Sequence, residues 1–209
     1  MNDQQNIKNL IIDLGGVLVD IDPQCTYAEF KRILLPDVQQ TLKWDEMPEV
    51  VIAMETGAWT KEEFKENMRK ACKPGVTDSQ IVDAWCAMID EFRAIRIRHL
   101  QKLSKKYNLY LLSNTNHYHV AYFEKEFKNR YHFSLKKLFT KVYYSHEIGC
   151  RKPDAKAFEF VLNDADLNPL ETALVDDRQD NCNTAVQLGM VAIKVPENSG
   201  LEAVIDQLL

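Results

Sequence analysis

Apolar runs of strand length recur along the chain, and most of them are separated by segments of helix length. The first run ends at Asp13, and Gly15 and Gly16 follow shortly after it. Apolar runs that contain β-branched residues are typical of strands that are buried on both faces of a sheet. The predicted strands cover residues 7–13, 109–113, 141–144, 172–176 and 191–195.

Each of the last three intervals between predicted strands holds one segment of helix length. That alternation is typical of βαβ units, in which helices connect parallel strands and pack on both faces of the sheet. The pattern therefore predicts an α/β fold with a doubly wound, mostly parallel, five-stranded sheet.

The interval between the first two predicted strands is much longer, and its pattern is helical from about residue 22 to residue 98. We predict a small all-α cap domain over 22–98, inserted into a core domain formed by 1–21 and 99–209. Insertions at the carboxyl ends of strands can cover a site there and act as lids.

Several positions in this interval predict particular cap elements. Thr60 and Glu63 have the spacing of a capping box, which predicts that a helix starts there. We expect Trp44, Trp59 and Trp85 to lie in the core of the cap. Helical spacing of apolar residues occurs in Phe64, Met68 and Cys72, and again in Trp85, Met88, Ile89 and Phe92.

The composition argues against several classes of protein. The net charge of −5 disfavours a nucleic-acid or membrane surface. No stretch reaches ~18 consecutive apolar residues, the length that would predict a membrane span. The N-terminal residues lack the apolar region of a signal peptide, and five dispersed cysteines lack metal-ligand spacing. We therefore expect reduced thiols in a cytoplasmic protein, which could be a monomer or a homodimer.

Polar residues lie at the ends of three predicted strands and at the start of the helix after another, and in a doubly wound sheet these positions converge on one crevice. Carboxylates there suit a hard cation, and hydroxyl, amide and ammonium donors suit the oxygens of a phosphoryl group. Each cluster alone also fits a helix cap or a polar turn, but their order at successive strand ends favours one site. The clusters are Asp13, Ser113-Asn114, Lys152 and Asp176-Asp177.

The same segments resemble the motifs of the haloacid dehalogenase superfamily of aspartyl-nucleophile hydrolases, over essentially the whole chain. That resemblance implies a Rossmann-like core and, between the first and second motifs, a small helical cap. The segments that begin at Asp13, Ser113 and Arg151 are most similar to the bacterial α-glucose-1-phosphatase group. The four matching segments cover residues 13–18, 111–116, 148–154 and 175–181.

The resemblance implies a phosphatase that acts on a small phosphorylated metabolite, with a hexose 1-phosphate as the candidate substrate. Asp13 would attack phosphorus and form an aspartyl-phosphate, which divides one difficult displacement into two steps. Ser113, the backbone of Asn114, and Lys152 would bind the substrate by holding the transferring oxygens.

The resemblance also implies that Mg²⁺ is the cofactor. Its ligands would be the Asp13 carboxylate, the Gly15 carbonyl oxygen and Asp177, with Asp176 either a ligand or placed behind the ligands. Asp177 is favoured over Asp176 for direct coordination because it aligns with the single metal aspartate of the family. The cation would offset the repulsion between nucleophile and phosphate.

One position departs from the family pattern. Many phosphatases of this superfamily carry a second Asp two residues after the nucleophile, as acid for the leaving group and base for water; here Gly15 stands there. General acid–base help is worth roughly 10²–10⁴ in rate, and a good leaving group such as an anomeric hydroxyl needs it less. Asp20, Asp22, a cap residue or water could replace it.

Three alternatives stay open at this point. A 2-haloacid dehalogenase would use the same nucleophile on carbon without a metal, although the paired Asp176-Asp177 argues for a cation. A mutase retains the second Asp, so Gly15 argues against transfer. A third hypothesis is a catalytically degenerate module that binds phosphate esters without turnover.

Overall fold

The computed structural model describes residues 7–41 and 49–208. Trp44 and the ends of the proposed domains at 1–6 and 209 lie outside these ranges. The strands of the described residues are β1 (Asn9–Ile12), β2 (Val19–Ile21), β3 (Ile89–Phe92), β4 (Asn108–Ser113), β5 (Lys141–Tyr144), β6 (Thr172–Asp176) and β7 (Val191–Lys194).

Helices occupy most of the remaining described chain. In chain order they are α1 (Pro23–Ile33), α2 (Pro36–Thr41), α3 (Glu49–Glu55), α4 (Lys61–Ala71), α5 (Asp78–Cys86), α6 (Ala94–Leu103), α7 (His117–Tyr131), α8 (Ser145–Ile148), α9 (Ala155–Asp164), α10 (Gln179–Gln187) and α11 (Ile205–Leu208). Short 3₁₀ turns cover Leu135–Leu138, Pro169–Glu171 and Leu201–Ala203.

Five strands form one sheet in the order β5-β4-β1-β6-β7, and every neighbouring pair is parallel. The predicted α/β class and five-stranded sheet are confirmed. The strand bounds differ by one or two residues at three strands. β1 covers Asn9–Ile12, β4 begins at Asn108, and β7 ends at Lys194. β1 is the central strand, so its carboxyl end opens at the middle of the sheet edge.

Side chains of β1 alternate between two buried layers. Leu10 and Ile12 belong to one hydrophobic cluster and Ile11 to another, because successive side chains of a strand point to opposite faces. All three are fully buried. Burial of both faces explains why the strand is apolar without polar alternation.

Helices α1 to α5 lie between β2 and β3 and have an apolar core of their own. Phe30, Met54, Phe64 and Trp85 are buried in it, and Trp59 packs against it at partial exposure. The predicted capping box begins α4: Thr60 Oγ1 accepts from the Glu63 N–H, and the Glu63 carboxylate accepts from the Thr60 N–H. The division at 21/22 and 98/99 stays a proposal for the domain boundaries.

The helical prediction is wrong at residues 89–92, between α5 and α6. Ile89–Phe92 form strand β3, which pairs antiparallel with β2. Ile89 and Phe92 are the buried ends of this strand, three residues apart, and that spacing also fits a helical face. Pairing with β2, far away in sequence, overrides the local pattern and makes a two-stranded ribbon at the base of the cap.

A buried arginine holds this ribbon against the core. The guanidinium of Arg96 in α6 lies 2.7 Å from Asp20 Oδ1 and 2.6 Å from Glu202 Oε2. Arg93 Nη2 lies 2.6 Å from the other oxygen of Asp20. These contacts fix β2, and with it the loop that returns to β1.

All five cysteines are described, and each is a free thiol. Within the described ranges, no helix is both long and apolar enough to cross a bilayer.

Candidate active site

Asp13 extends the central strand by one residue. Its N–H donates to the carbonyl of Val175 at 2.9 Å, which continues the pairing of β1 with β6. Its Oδ1 accepts from the Leu14 N–H at 2.7 Å and lies 3.0 Å from Lys152 Nζ. No described residue donates to Oδ2, so the carboxylate is held at one oxygen and open at the other.

The turn after Asp13 needs glycine at position 16. Gly16 has φ +71°, and a Cβ there would lie 2.3 Å from Asp177 Oδ2. The Gly16 N–H donates to the Val19 carbonyl, while the Leu14 carbonyl accepts from the Val19 N–H. These bonds leave the Gly15 carbonyl without a partner among the described residues. The loop therefore closes tightly around Asp177 and keeps one backbone oxygen available.

Lys152 connects two of the carboxylates. Its Nζ lies 3.0 Å from Asp13 Oδ1 and 2.6 Å from Asp176 Oδ2, and its side chain is only 1% exposed. Burial by itself would lower the pKa of Lys152, but Asp13 and Asp176 outweigh burial and raise that pKa above its ordinary value. The ammonium is therefore a fixed positive charge beside the nucleophile candidate.

The backbone of Lys152 is held by Asn114. The Asn114 Oδ1 accepts from the Lys152 N–H at 2.8 Å, and its Nδ2 donates to the Lys152 carbonyl at 2.7 Å. The sequence predicted Asn114 only as a backbone donor for substrate. The structure shows a further task for its side chain, which couples the loop after β4 to the lysine.

Asp176 and Asp177 differ in their partners. Asp176 is fully buried, and besides Lys152 it accepts from the Arg178 N–H at 2.9 Å and from Asn181 Nδ2 at 2.8 Å. The Asp177 carboxylate accepts no bond from another residue of the described chain. Both oxygens of Asp176 thus already accept hydrogen bonds, whereas the Asp177 oxygens accept none from other described residues.

Burial and mutual repulsion affect the ionisation of the carboxylates. Burial raises the pKa of Asp13 to about 7, with Lys152 opposing and both Asp176 and Asp177 adding to the shift. Burial, followed by the charge of Asp176, also raises the pKa of Asp177. Concentrated negative charge of this kind favours a bound cation.

The geometry fits a divalent cation. One carboxylate oxygen from each of Asp13, Asp176 and Asp177 lies within 4.8 Å of the others. An all-oxygen donor set with a free carbonyl at Gly15 suits a hard ion such as Mg²⁺ better than a soft metal.

Ser113 ends β4 at the same edge of the sheet. Ile12 pairs with Leu111, so Ser113 lies one step beyond the level of Asp13 along the neighbouring strand. It is buried, and its hydroxyl forms no bond to a described residue. The structure therefore brings every predicted site residue to one crevice.

Asp20 and Asp22, which the sequence offers as replacements for the acid–base residue, have other partners in the structure. Asp20 binds Arg93 and Arg96, and Asp22 caps α1 by accepting from the Gln24 N–H at 2.9 Å. Both carboxylates therefore already have partners in the described part of the chain.

Sequence reasoning missed the contact between the cap and this crevice. Arg151 Nε lies 2.6 Å from Glu55 Oε2, at the end of α3. Trp85 Nε1 donates to Asn116 Oδ1 at 3.2 Å, and the Trp85 carbonyl lies 3.0 Å from His119 Nε2. No local motif marks these pairs, because each joins residues that are distant in sequence.

Comparison with known proteins places this arrangement in a family. Residues 7–189 match the family model of the haloacid dehalogenase-like hydrolases. The chain therefore belongs to that family, and the predicted superfamily is confirmed. Similarity to the α-glucose-1-phosphatase group is not tested by these matches and stays a prediction.

Several relatives are similar over nearly their whole length. A D-ribitol-5-phosphate phosphatase of Bacteroides thetaiotaomicron is 30% identical over 197 residues, which are 92% of this chain and 93% of the relative. A haloacid dehalogenase family enzyme of that organism, crystallised with magnesium and inorganic phosphate, has a TM-score of 0.86 and 32% identity, covering 95% of this chain and 98% of its own. A hydrolase of this family from Porphyromonas gingivalis has a TM-score of 0.81 and 28% identity, with 97% and 98% covered.

Proposed function

We propose that this enzyme is a Mg²⁺-dependent phosphatase that acts on a small phosphorylated sugar or sugar alcohol, with Asp13 as the nucleophile. The observation that carries the proposal is the cluster of Asp13, Asp176 and Asp177 oxygens within 4.8 Å, with Lys152 between two of them. The family match and the named phosphatase relative support the reaction class.

In the first step, the open Oδ2 of Asp13 attacks phosphorus and the leaving oxygen departs, which gives an aspartyl-phosphate. Water then attacks phosphorus and releases inorganic phosphate and the free Asp13 carboxylate. Lys152, the Ser113 hydroxyl and the Asn114 N–H hold the equatorial oxygens, where negative charge is concentrated. The Asn114 side chain keeps Lys152 in place.

Asp13, the Gly15 carbonyl and Asp177 are the proposed ligands of Mg²⁺. Asp176, which accepts bonds at both oxygens, orients Lys152 and stands behind the ligands, which supports the choice of Asp177 for direct coordination. When bound, the cation neutralises part of the charge on the phosphoryl group and the nucleophile.

Gly15 supplies no proton, and the surrounding packing leaves little room for a longer side chain there. A Cβ at Gly15 would lie 3.1 Å from Ile21 Cγ1. With Asp20 and Asp22 occupied, the proton of the leaving group comes from a cap residue or from water.

Two substrate classes follow from different observations. Resemblance to the glucose-1-phosphatase group and the absent acid favour a hexose 1-phosphate, whose leaving group needs less protonation. Similarity along the whole chain to a D-ribitol-5-phosphate phosphatase favours a sugar-alcohol phosphate. We rank the sugar-alcohol phosphate first because that relative matches cap and core together.

Phosphate release from a panel of esters tests the proposal. The panel holds hexose 1-phosphates, pentitol 5-phosphates, nucleotides and an aryl phosphate, each with Mg²⁺ and with chelator. We expect turnover that requires Mg²⁺ and is lost in Asp13→Asn. Binding of Mg²⁺ and ester without turnover would instead favour a degenerate binding module. Turnover of 2-chloropropionate in chelator would favour a dehalogenase.

A further inference from the structure

An ion pair joins the cap to the loop that carries Lys152. Glu55 is the last residue of α3, and Arg151 directly precedes Lys152. Arg151 Nε lies 2.6 Å from Glu55 Oε2, and the two side chains are 20% and 16% exposed. This pair is much less exposed than the cap pair Arg69–Asp78, whose side chains are 46% and 40% exposed.

The pair has hydrogen-bonding capacity that the described chain does not use. A guanidinium has five N–H donors, and only the one on Nε has a partner among the described residues. Oε1 of Glu55 likewise accepts no bond from them. Both groups are partly open, so an incoming molecule can reach them.

The surrounding contacts keep this pair at the crevice. The turn after α3 packs so closely on α8 that a Cβ at Gly57 would lie 2.4 Å from the His146 carbonyl oxygen. On the other side, Asn114 fixes the backbone of Lys152 next to Arg151. Both partners are therefore anchored, one through the cap and one through the catalytic loop.

The charges around Glu55 also place its carboxylate near the candidate active site. Burial raises the pKa of Glu55, and the positive charges of Arg151, Arg178 and Lys152 oppose that rise. Lys152 contacts Asp13, and Arg178 follows Asp177 in the chain. The Glu55 carboxylate thus lies within the electrostatic reach of the cations on both sides of the catalytic carboxylates.

We propose that Glu55 and Arg151 bind the hydroxyl groups at the non-reacting end of the substrate and so determine its specificity. The inference rests on the proposed phosphatase function. A hydroxyl group both donates and accepts, so it can bind the free Arg151 N–H groups and Glu55 Oε1 together. An alkyl chain at the same place would displace water from these charged groups without replacing its hydrogen bonds, and the site would reject it.

Two esters with the same number of carbons test this proposal: ribitol 5-phosphate and pentyl phosphate. In Arg151→Met, we expect kcat/KM for ribitol 5-phosphate to fall roughly 10- to 100-fold, mostly through KM, because charge-assisted hydrogen bonds are lost. The value for pentyl phosphate should stay within about threefold. Glu55→Gln should also lower kcat/KM more for ribitol 5-phosphate than for pentyl phosphate, but by a smaller factor than Arg151→Met.

Arg69→Met is the matched control, because it breaks an ion pair of the same 2.6 Å length within the cap. Equal losses on both esters in Arg151→Met would overturn the proposal in favour of a purely structural contact. Unchanged kinetics on ribitol 5-phosphate would overturn it as well.

A binding measurement separates this proposal from the phosphatase proposal. Calorimetry of ribitol 5-phosphate and pentyl phosphate with the Asp13→Asn protein and Mg²⁺ needs no turnover. Tighter binding of the polyol ester that is lost in Asp13→Asn/Arg151→Met supports the inference, even if the wild-type enzyme hydrolyses neither ester. Equal binding of both esters overturns it.

Discussion

The side chain of Asn114 forms two hydrogen bonds with the backbone of Lys152, one to its N–H at 2.8 Å and one to its carbonyl at 2.7 Å. A pair of this kind holds a peptide unit in position and orientation together. Because the same lysine contacts Asp13 and Asp176, a residue after one strand controls the geometry of charges at the ends of two others.

Loss of this clamp should reduce turnover without unfolding the protein. In Asn114→Ala we expect kcat to fall roughly 10- to 100-fold, since two hydrogen bonds of about 1 kcal/mol each no longer position Lys152. Steady-state kinetics on the preferred ester measures the effect. Asn163→Ala in the exposed part of α9 is the control, and equal rates for both variants would contradict the assigned task of Asn114.

Gly16 should tolerate no side chain. In Gly16→Ala the new Cβ would meet Asp177 Oδ2, so we expect Asp177 to move and turnover to fall by more than about 100-fold. Gly75→Ala has a similar positive φ, at +87°, with nothing within 4 Å of the new Cβ.

Both glycine variants should lose about 1–2 kcal/mol of unfolding free energy, the cost of a side chain in the left-handed region. Only Gly16→Ala should also weaken Mg²⁺ binding, which calorimetry measures. Similar Mg²⁺ affinities in the two variants would show that backbone strain alone accounts for the effect.

The ionised Asp13 carboxylate should lower the free energy of unfolding when no metal is present. Its pKa is 3.8 when exposed and is raised to about 7 by burial, so the folded state binds more protons than the unfolded state between these values. The free energy of unfolding therefore falls as pH rises through this range, and the loss is complete above pH 7. In chelator at pH 8, Asp13→Asn should unfold roughly 5 °C higher than wild type.

Mg²⁺ should reverse that order by stabilising wild type more than Asp13→Asn. Thermal unfolding with Mg²⁺ and with chelator measures both effects in one experiment. Asp166→Asn, at an exposed position, is the control and should change neither midpoint by more than about 1 °C. A wild-type protein that is more stable than Asp13→Asn in chelator would contradict the predicted cost of burying the ionised Asp13 carboxylate.

His119, which contacts the Trp85 carbonyl in the cap, should make the free energy of unfolding sensitive to acid. Burial lowers its pKa from 6.5 to about 4, with its contact to the Trp85 carbonyl opposing the shift. The unfolded state therefore binds more protons between pH 6.5 and 4, and the free energy of unfolding falls as pH drops through this window.

His119→Gln should remove about 1 kcal/mol of the stability loss between pH 7 and pH 5. Urea unfolding at the two pH values measures it, and His132→Asn at an exposed position is the control. An unchanged pH dependence in His119→Gln would show that other groups cause the acid sensitivity.

The positions of Asp13, Ser113, Lys152 and Asp177 could be predicted because each lies at the end of a strand or in the connection that leaves it, and parallel strands bring their carboxyl ends together. Apolar runs buried on both faces made those strands visible in the sequence. The tasks of individual atoms could not be predicted in the same way. That Asp176 accepts bonds from Asn181 and a backbone N–H depends on directions that only the folded chain sets.

Contacts between the cap and the rest of the chain could not be predicted from the sequence for another reason. Glu55 and Arg151 are 96 residues apart, and neither belongs to a periodic pattern that would connect them. The strand at Ile89–Phe92 was missed because its buried ends have helical spacing and its partner strand lies near the start of the chain. In both cases tertiary pairing decides what local preference leaves open.

The most direct test of the proposed mechanism is mass spectrometry of the enzyme quenched in acid during turnover of its preferred ester with Mg²⁺. The mechanism predicts one added phosphoryl group on the peptide that contains Asp13, and none in chelator or in Asp13→Asn. Full turnover with no phosphoryl group on that peptide, or the group on a different residue, would contradict Asp13 as the nucleophile.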